Sequence, residues 1–178
     1  MKSMFIVNGI STKLGFKELE LIADILPDCE ENALIFHELA LSKSSEVRTA
    51  VACKEHLMAE TAEILLKDTS IMVLCQILKT DIGKACLNKS ELTRLIELGS
   101  IRLLKRIVME LDQLVNEFGC CDMKYIIEQL IQHQDPLIRY DLSGCDIPIN
   151  YLNILAHDHD ESVAMNAQTT LNDLDYIF

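Results

Sequence analysis

LALSKSSEVRTAVA, residues 39–52, reads as the end of one helix, a short polar turn and the start of a second helix. Four later segments share this layout: LLKDTSIMVLCQIL from Leu65, LIELGSIRLLKRIV from Leu95, LIQHQDPLIRYDLS from Leu130 and LAHDHDESVAMNAQ from Leu155. Aligned on the residues just past the turn, Val47, Val73, Leu103, Ile138 and Val163, all five have leucine eight positions earlier, at 39, 65, 95, 130 and 155. Four positions after the anchor they have Val51, Ile77, Ile107, Leu142 and Ala167. Apolar residues repeating at these intervals on both sides of a turn predict a chain of helix–turn–helix units. Each unit is too small to bury its own apolar face, so it must stack on its neighbours.

Three positions before each anchor lies Ser44, Ser70, Ser100, Asp135 or Asp160. Ser and Asp accept hydrogen bonds from the unpaired N–H groups of a helix's first turn, so each is read as an N-cap. Pro136 follows the fourth, where a missing N–H does no harm. The predicted units span 30–57, 59–80, 89–118, 122–142 and 148–174, with Asp81–Leu87 as a link and Ile101–Phe118 as the longest helix. Phe16–Leu26 has helical apolar spacing, ends at Pro27 and lies outside the repeats, so residues 1–28 are read as an N-terminal cap. MFIV near the start is a short extended piece or part of that cap. No stretch alternates with period two, and no sheet is expected. The expected fold is all-α: one domain over 1–178, a right-handed α-solenoid of about five repeats with an N-terminal capping helix.

The chain has 178 residues and a formal net charge of −12. Nonspecific nucleic-acid binding relies on Lys and Arg neutralising phosphates, so this balance argues against it and favours a cationic partner, or solubility alone. No run approaches a membrane span and the N-terminus is too short for a signal peptide, so a cytoplasmic location without membrane attachment is expected. Seven cysteines, an odd number, show no disulfide spacing and no CxxC, which predicts reduced thiols. The adjacent Cys120 and Cys121 lack the electropositive setting of a reactive thiol, with Asp122 beside them. His157-Asp158-His159-Asp160 has metal-ligand composition. Its Asp residues fall in repeat columns, however, and consecutive side chains diverge, so turn and cap roles are preferred and no metal is expected. There is no Gly-rich phosphate loop, nucleophile elbow or HExxH. The reading is non-catalytic, with no cofactor.

SSEVRTAVA, DTSIMVL, QDPLIR and DHDESVA resemble HEAT-like repeats and the related leucine-rich repeat variant, over about residues 30–174. The resemblance implies an α-solenoid that binds proteins. It also implies that Arg48 and Arg139 pair with turn acids of a neighbouring unit. Leu74, Leu104 and Ala164 depart from the pattern. The iron–sulfur site of one branch is not implied, because no cysteine precedes Cys29. DNA glycosylases built on similar repeats use a basic face with aromatics, which this acidic, Trp-free chain does not offer.

On the second helices, anchor offsets 0, 1, 4, 5 and 8 form the apolar face, and offsets 3 and 7 are read as outward. Outward residues are then Ala50, Lys54, Gln76, Thr80, Arg106, Glu110, Asp141, Asn166 and Thr170. Acids concentrate on the first helices and cations on the second. The functional reading is a protein–protein interaction module whose second-helix face binds a partner through Lys54, Gln76, Arg106 and Asn166, with Lys79 at the edge. The alternative is an immunity-type or inhibitor protein that masks a basic effector by acidic charge. Oligomeric state is left open.

Overall fold

A computed structural model describes residues 4–7, 10–117, 119 and 123–175. The molecule is predominantly helical, with helices throughout residues 16–175, as the periodicity predicts. One exception to the expectation of no sheet stands at the start. β1 (Met4–Val7) pairs antiparallel with β2 (Ile10–Lys13), with Met4 opposite Lys13 and Val7 opposite Ile10. The sequence between the strands is Asn8-Gly9, the dipeptide most favoured between hairpin strands.

The helices are α1 (Phe16–Ile25), α2 (Ala33–Ala40), α3 (Ser45–Val51), α4 (Ala59–Leu66), α5 (Ile71–Ile77), α6 (Asp81–Cys86), α7 (Lys89–Glu97), α8 (Ile101–Met109), α9 (Met123–Leu130), α10 (Pro136–Ser143), α11 (Ile149–Leu155) and α12 (Glu161–Asp175). Contacts gather them into two compact units, Met1–Leu87 and Asn88–Phe178. In the first, α1 packs on α2 and α3, α2 on α4, α3 on α5, and α6 on α4 and α5. In the second, α8 packs on α10 and α10 on α12, while α7, α9 and α11 pack against α8, α10 and α12 respectively. No helix among the described residues is long and apolar enough to cross a membrane.

The aligned columns are the core. Every anchor, every leucine eight positions before it and every apolar residue four positions after it is at most 3% exposed. Burying one such aliphatic side chain stabilises the fold by about 1.5–3 kcal/mol, so five copies of three columns supply much of the driving force. On α8 and just beyond it the full apolar face, Leu103, Leu104, Ile107, Val108 and Leu111, is buried.

Three element boundaries differ from expectation. α3 stops at Val51 instead of running to Leu57, because the Asp28 carboxylate takes the backbone N–H groups of Glu55 and His56 at 2.8 and 2.9 Å. Residues 81–86 are a helix, not a link: the Thr80 hydroxyl accepts from Gly83 N at 3.1 Å and donates to Ile77 O at 2.8 Å. Thr80, read as outward, is therefore buried. α8 ends at Met109 and is followed by a π-helical stretch, Gln113–Glu117, so α12 is the longest helix.

All five expected caps stand at helix N-cap positions, but only the aspartates cap. Asp135 Oδ1 accepts from Leu137 N at 2.9 Å, and Asp160 Oδ1 from Ser162 N at 3.0 Å and Val163 N at 3.3 Å. The hydroxyls of Ser44, Ser70 and Ser100 make no cap bond; Ser44 Oγ donates to Glu46 at 2.6 Å instead. Asn88, which the repeat register does not mark, caps α7 through Glu91 N at 3.0 Å.

Two side-chain clasps tie consecutive second helices together. Arg48 on α3 donates from Nε and Nη2 to Asp68 at 2.5 and 2.9 Å, and from Nη1 to Ser42 O at 2.8 Å. Arg139 on α10 does the same with Asp158, at 2.7 and 2.9 Å, and with the carbonyls of His133 and Gln134. In each, the aspartate also accepts from the backbone two residues on, Ser70 N or Asp160 N. The pairing of Arg48 and Arg139 with turn acids of the next pair is thus present. Leu74 and Leu104, at the equivalent position, are buried in the core.

Candidate partner-binding surface

A residue on the solvent side of a stacked helix must face away from the apolar stripe. At about 100° per residue, the face made by offsets 0, 1, 4, 5 and 8 is centred roughly 70° from the anchor, and the direction opposite falls nearest offsets −1 and +6, with +2 and +3 about 50° to either side. Offset +7 lies on the flank of the stripe, next to the neighbouring helix, while +3 lies towards the outward side.

Most residues of the row read as outward are engaged within the fold. Lys54 Nζ donates to Asp24 O at 3.3 Å and Leu26 O at 3.1 Å, closing the C-terminal end of α1, and lies 5.4 Å from the centre of the Phe36 ring. Arg106 pairs with Glu110 on its own helix at 2.9 Å, its side chain 21% exposed. Asn166 Nδ2 donates to Tyr140 O at 3.2 Å and Ser143 Oγ at 2.9 Å, and Thr170 Oγ1 to Ser143 O at 2.9 Å, so both fasten α12 to α10. Gln76 is half-buried and Lys79 is exposed. Lys54, Gln76 and Lys79 belong to the first compact unit, Arg106 and Asn166 to the second.

Each unit carries a groove on its second-helix side. In the first, α1, α3 and α5 enclose about 340 Å³ lined by Glu20, Asp24, Glu46, Thr49, Ala50, Cys53 and Met72, with Ser45 and Ser70. In the second, α8, α10 and α12 enclose about 400 Å³ lined by Lys105, Val108, Met109, Tyr140, Asp141, Gly144, Cys145 and Asn166. Most of these stand at offsets −1, +2, +3 and +6. Lys105 spans the second groove to Asp141 at 3.2 Å. Met109, Met165 and Tyr140 are exposed at 69, 64 and 41% beside it. Sequence reasoning missed Met109 and Tyr140 because it took the neighbouring offsets as outward; a helical wheel centred on the buried stripe finds them.

The electrostatics differ from a simple acidic-versus-basic division. Glu38, Glu60 and Glu63 on the first helices are exposed. The second-helix cations are largely paired: Arg48 and Arg139 in clasps, Lys105 and Arg106 in ion pairs. Hydrogen bonding, chiefly from the Ser44 hydroxyl, holds Glu46 below the ordinary carboxylate range. Burial pushes the Cys145 thiol up to about 11.

In the His157–Asp160 segment each polar group has a local partner. His157 Nδ1 faces Asn153 O at 2.8 Å, Asp158 holds Arg139, and Asp160 caps α12. Among the described residues no three His, Cys, Asp or Glu side chains converge as a metal site. Cys120 and Cys121 lie outside the described residues. No family model, curated protein or solved structure matches the chain.

Proposed function

We propose that this chain is a non-catalytic protein-binding module of the HEAT-like, α-solenoid kind, acting in the cytoplasm, and that its partner docks on the second-helix side. About five repeats stacked in a right-handed sense are the arrangement the aligned columns favour. The observation that carries the reading is the open stripe at offsets −1, +2, +3 and +6, where apolar side chains such as Met109 and Tyr140 stand in solvent beside a groove. Exposed methionine and tyrosine give adaptable contact area that does not serve the core.

The test begins with affinity capture from the native cell and identification of the partner by mass spectrometry. Binding of that partner is then measured for Tyr140→Glu, Lys79→Glu and Glu63→Lys. The proposal expects Tyr140→Glu to weaken binding, Lys79→Glu to change it and Glu63→Lys to leave it. Arg106→Glu is a poorer probe, since it places two carboxylates one helical turn apart on α8 and breaks the pair with Glu110. A second reading, an inhibitor that masks a basic effector, draws on the exposed first-helix acids Glu38, Glu60 and Glu63. Sensitivity to Glu63→Lys alone would favour it.

A further inference from the structure

The groove of the first unit differs from that of the second in one respect that bears on its occupant. Its lining combines the apolar side chains of Ala50 and Met72 with three carboxylates, Glu20 and Asp24 from α1 and Glu46 from α3. None of the three takes part in an ion pair among the described residues, whereas the second groove is already spanned by the Lys105–Asp141 pair. Two nearby cations are engaged elsewhere: the Lys54 ammonium is committed to the carbonyls of Asp24 and Leu26, and Arg48, which acts on Glu46 through space, is clasped to Asp68. Lys79 is exposed and close enough to act on the Cys53 thiol, and it leaves the local balance acidic.

A lining of apolar side chains and carboxylates suits a segment that presents aliphatic surface and positive charge together. Lys and Arg do this with their own side chains, laying the methylene stem on apolar surface while the charged head reaches carboxylates. We propose that the α1–α3–α5 groove binds a basic peptide segment of a partner protein, with one aliphatic side chain or cationic stem on Ala50 and Met72 and cationic heads at Glu20, Asp24 and Glu46. The inference rests on the protein-binding reading above and names the chemistry of the bound segment.

The groove's volume of about 340 Å³ accommodates a side chain or two and not a folded domain, so recognition is of an extended or helical segment. Charge in the lining chiefly speeds encounter and selects the sign of the partner, while the apolar contact slows release. Both parts are separable by substitution. All three acids lie at the surface or near it, and Glu46→Gln keeps an acceptor for the Ser44 hydroxyl.

The experiment is a fluorescence-anisotropy titration of the full chain. The probe is a labelled peptide of about ten residues, Lys and Arg with one central Leu, compared with the same peptide carrying Ser for Leu. Two triple variants remove equal charge: Glu20→Gln/Asp24→Asn/Glu46→Gln at the groove, and Glu38→Gln/Glu60→Gln/Glu63→Gln on the first helices. The groove variant is expected to weaken binding about tenfold and the first-helix variant less than about twofold. The Leu peptide is expected to outbind the Ser peptide several-fold, with the difference shrinking in Met72→Gln. Circular dichroism of each variant verifies the fold. Equal loss in both triple variants would mean diffuse attraction to an acidic protein and overturn the proposal. So would the absence of saturable binding to the unsubstituted chain. Either result leaves the broader protein-binding reading standing if the captured partner still responds to Tyr140→Glu in the second groove.

Discussion

Asp158 accepts two hydrogen bonds from Arg139, at 2.7 Å from Nε and 2.9 Å from Nη2, while its Oδ1 also takes the backbone N–H of Asp160. One carboxylate thereby fixes the turn between α11 and α12 and holds α10 against it. Arg139 is 4% exposed in its side chain and Asp158 8%, so water competes little for either. Removing one partner of such a pair leaves the other charge buried. Arg139→Ala should destabilise by about 3–5 kcal/mol. Arg48→Ala should cost less, because its side chain is 16% exposed and water can take its place beside Asp68. The double variant Arg139→Met/Asp158→Leu should recover part of the loss by removing both charges, but not all, because Asp160 N loses its acceptor. Denaturant unfolding of the three variants checks this; an Arg139→Ala midpoint above that of Arg48→Ala would refute the ranking.

The same aspartate makes stability depend on acid pH. Hydrogen bonds from Arg139, opposed by burial, hold Asp158 below the usual carboxylate range. At Asp68, burial pushes upward but the bonds from Arg48 and Ser70 N outweigh it, so its value too is lowered. A group whose folded pKa lies below its unfolded value of about 3.9 stabilises fully above that value and loses its contribution as pH falls through the folded one. Within that window each group adds up to about 1.4 kcal/mol per pH unit of slope. Asp158→Asn should therefore show a shallower loss of stability below about pH 4 than the unsubstituted chain, although it starts lower. Urea unfolding at several acid pH values reads this out, and identical slopes would count against it.

What could be read before the structure follows a physical division. The anchors and leucines of the repeat were legible because each copy must bury the same positions, and Val47, Val73, Leu103, Ile138 and Val163 are all fully buried. Turn positions were legible for the same reason. The end of α3 was not, because it is set by Asp28, some 27 residues away in the chain. α6 reads as a link in the sequence because Gly83 weakens the local helical signal, and its cap, Thr80, falls at an offset that reads as outward. The hairpin was signalled by Asn8-Gly9 and passed over for want of alternation in Met4–Val7. For the candidate surface, the row read from the sequence includes Arg106, which pairs with Glu110, and omits Met109 three residues on, which stands exposed.

The caps separate by chemistry and not by repeat position. Asp160→Ala should cost about 0.5–2 kcal/mol, since two N–H groups of α12 lose their acceptor, and Asp135→Ala a similar amount. Ser70→Ala should stay within about 0.5 kcal/mol, because its hydroxyl makes no cap bond and Asp68 already holds its N–H. Denaturation midpoints would contradict this if Ser70→Ala cost as much as Asp160→Ala.

Cys29, Cys53, Cys86 and Cys145 carry free thiols. Cys145 lies against the carbonyls of Asp141, at 3.3 Å, and Val108, at 3.8 Å, and burial raises its pKa to about 11. At pH near 8 roughly one part in a thousand is thiolate, the form that reacts. Exposed Cys53 should therefore be alkylated well before Cys145. Peptide mapping after timed iodoacetamide treatment checks the order, and earlier labelling of Cys145 would refute it.

The last prediction concerns Gly83, on α6. A Cβ there would stand 2.0 Å from the carbonyl oxygen of Ile77 and 2.8 Å from its carbon. These are backbone atoms at the end of α5, so no rotamer change relieves the clash. α6 would have to move, breaking the Thr80 cap on Gly83 N and the bond from Lys84 Nζ to Lys79 O at 3.3 Å. Gly83→Ala should cost about 3 kcal/mol or more, at the upper end of overpacking. Gly99 supplies the contrast. Its φ is +62°, but a Cβ there meets only Glu97 O at 4.0 Å, an ordinary contact, so Gly99→Ala should cost only about 1–2 kcal/mol of backbone strain. The first loss arises between two packed helices and the second within one residue's backbone. Shortening α6 by Thr80→Val should therefore soften the Gly83→Ala penalty and leave that of Gly99→Ala unchanged. Additive penalties for Thr80→Val and Gly83→Ala would show that α6 is not locked on α5 in this way.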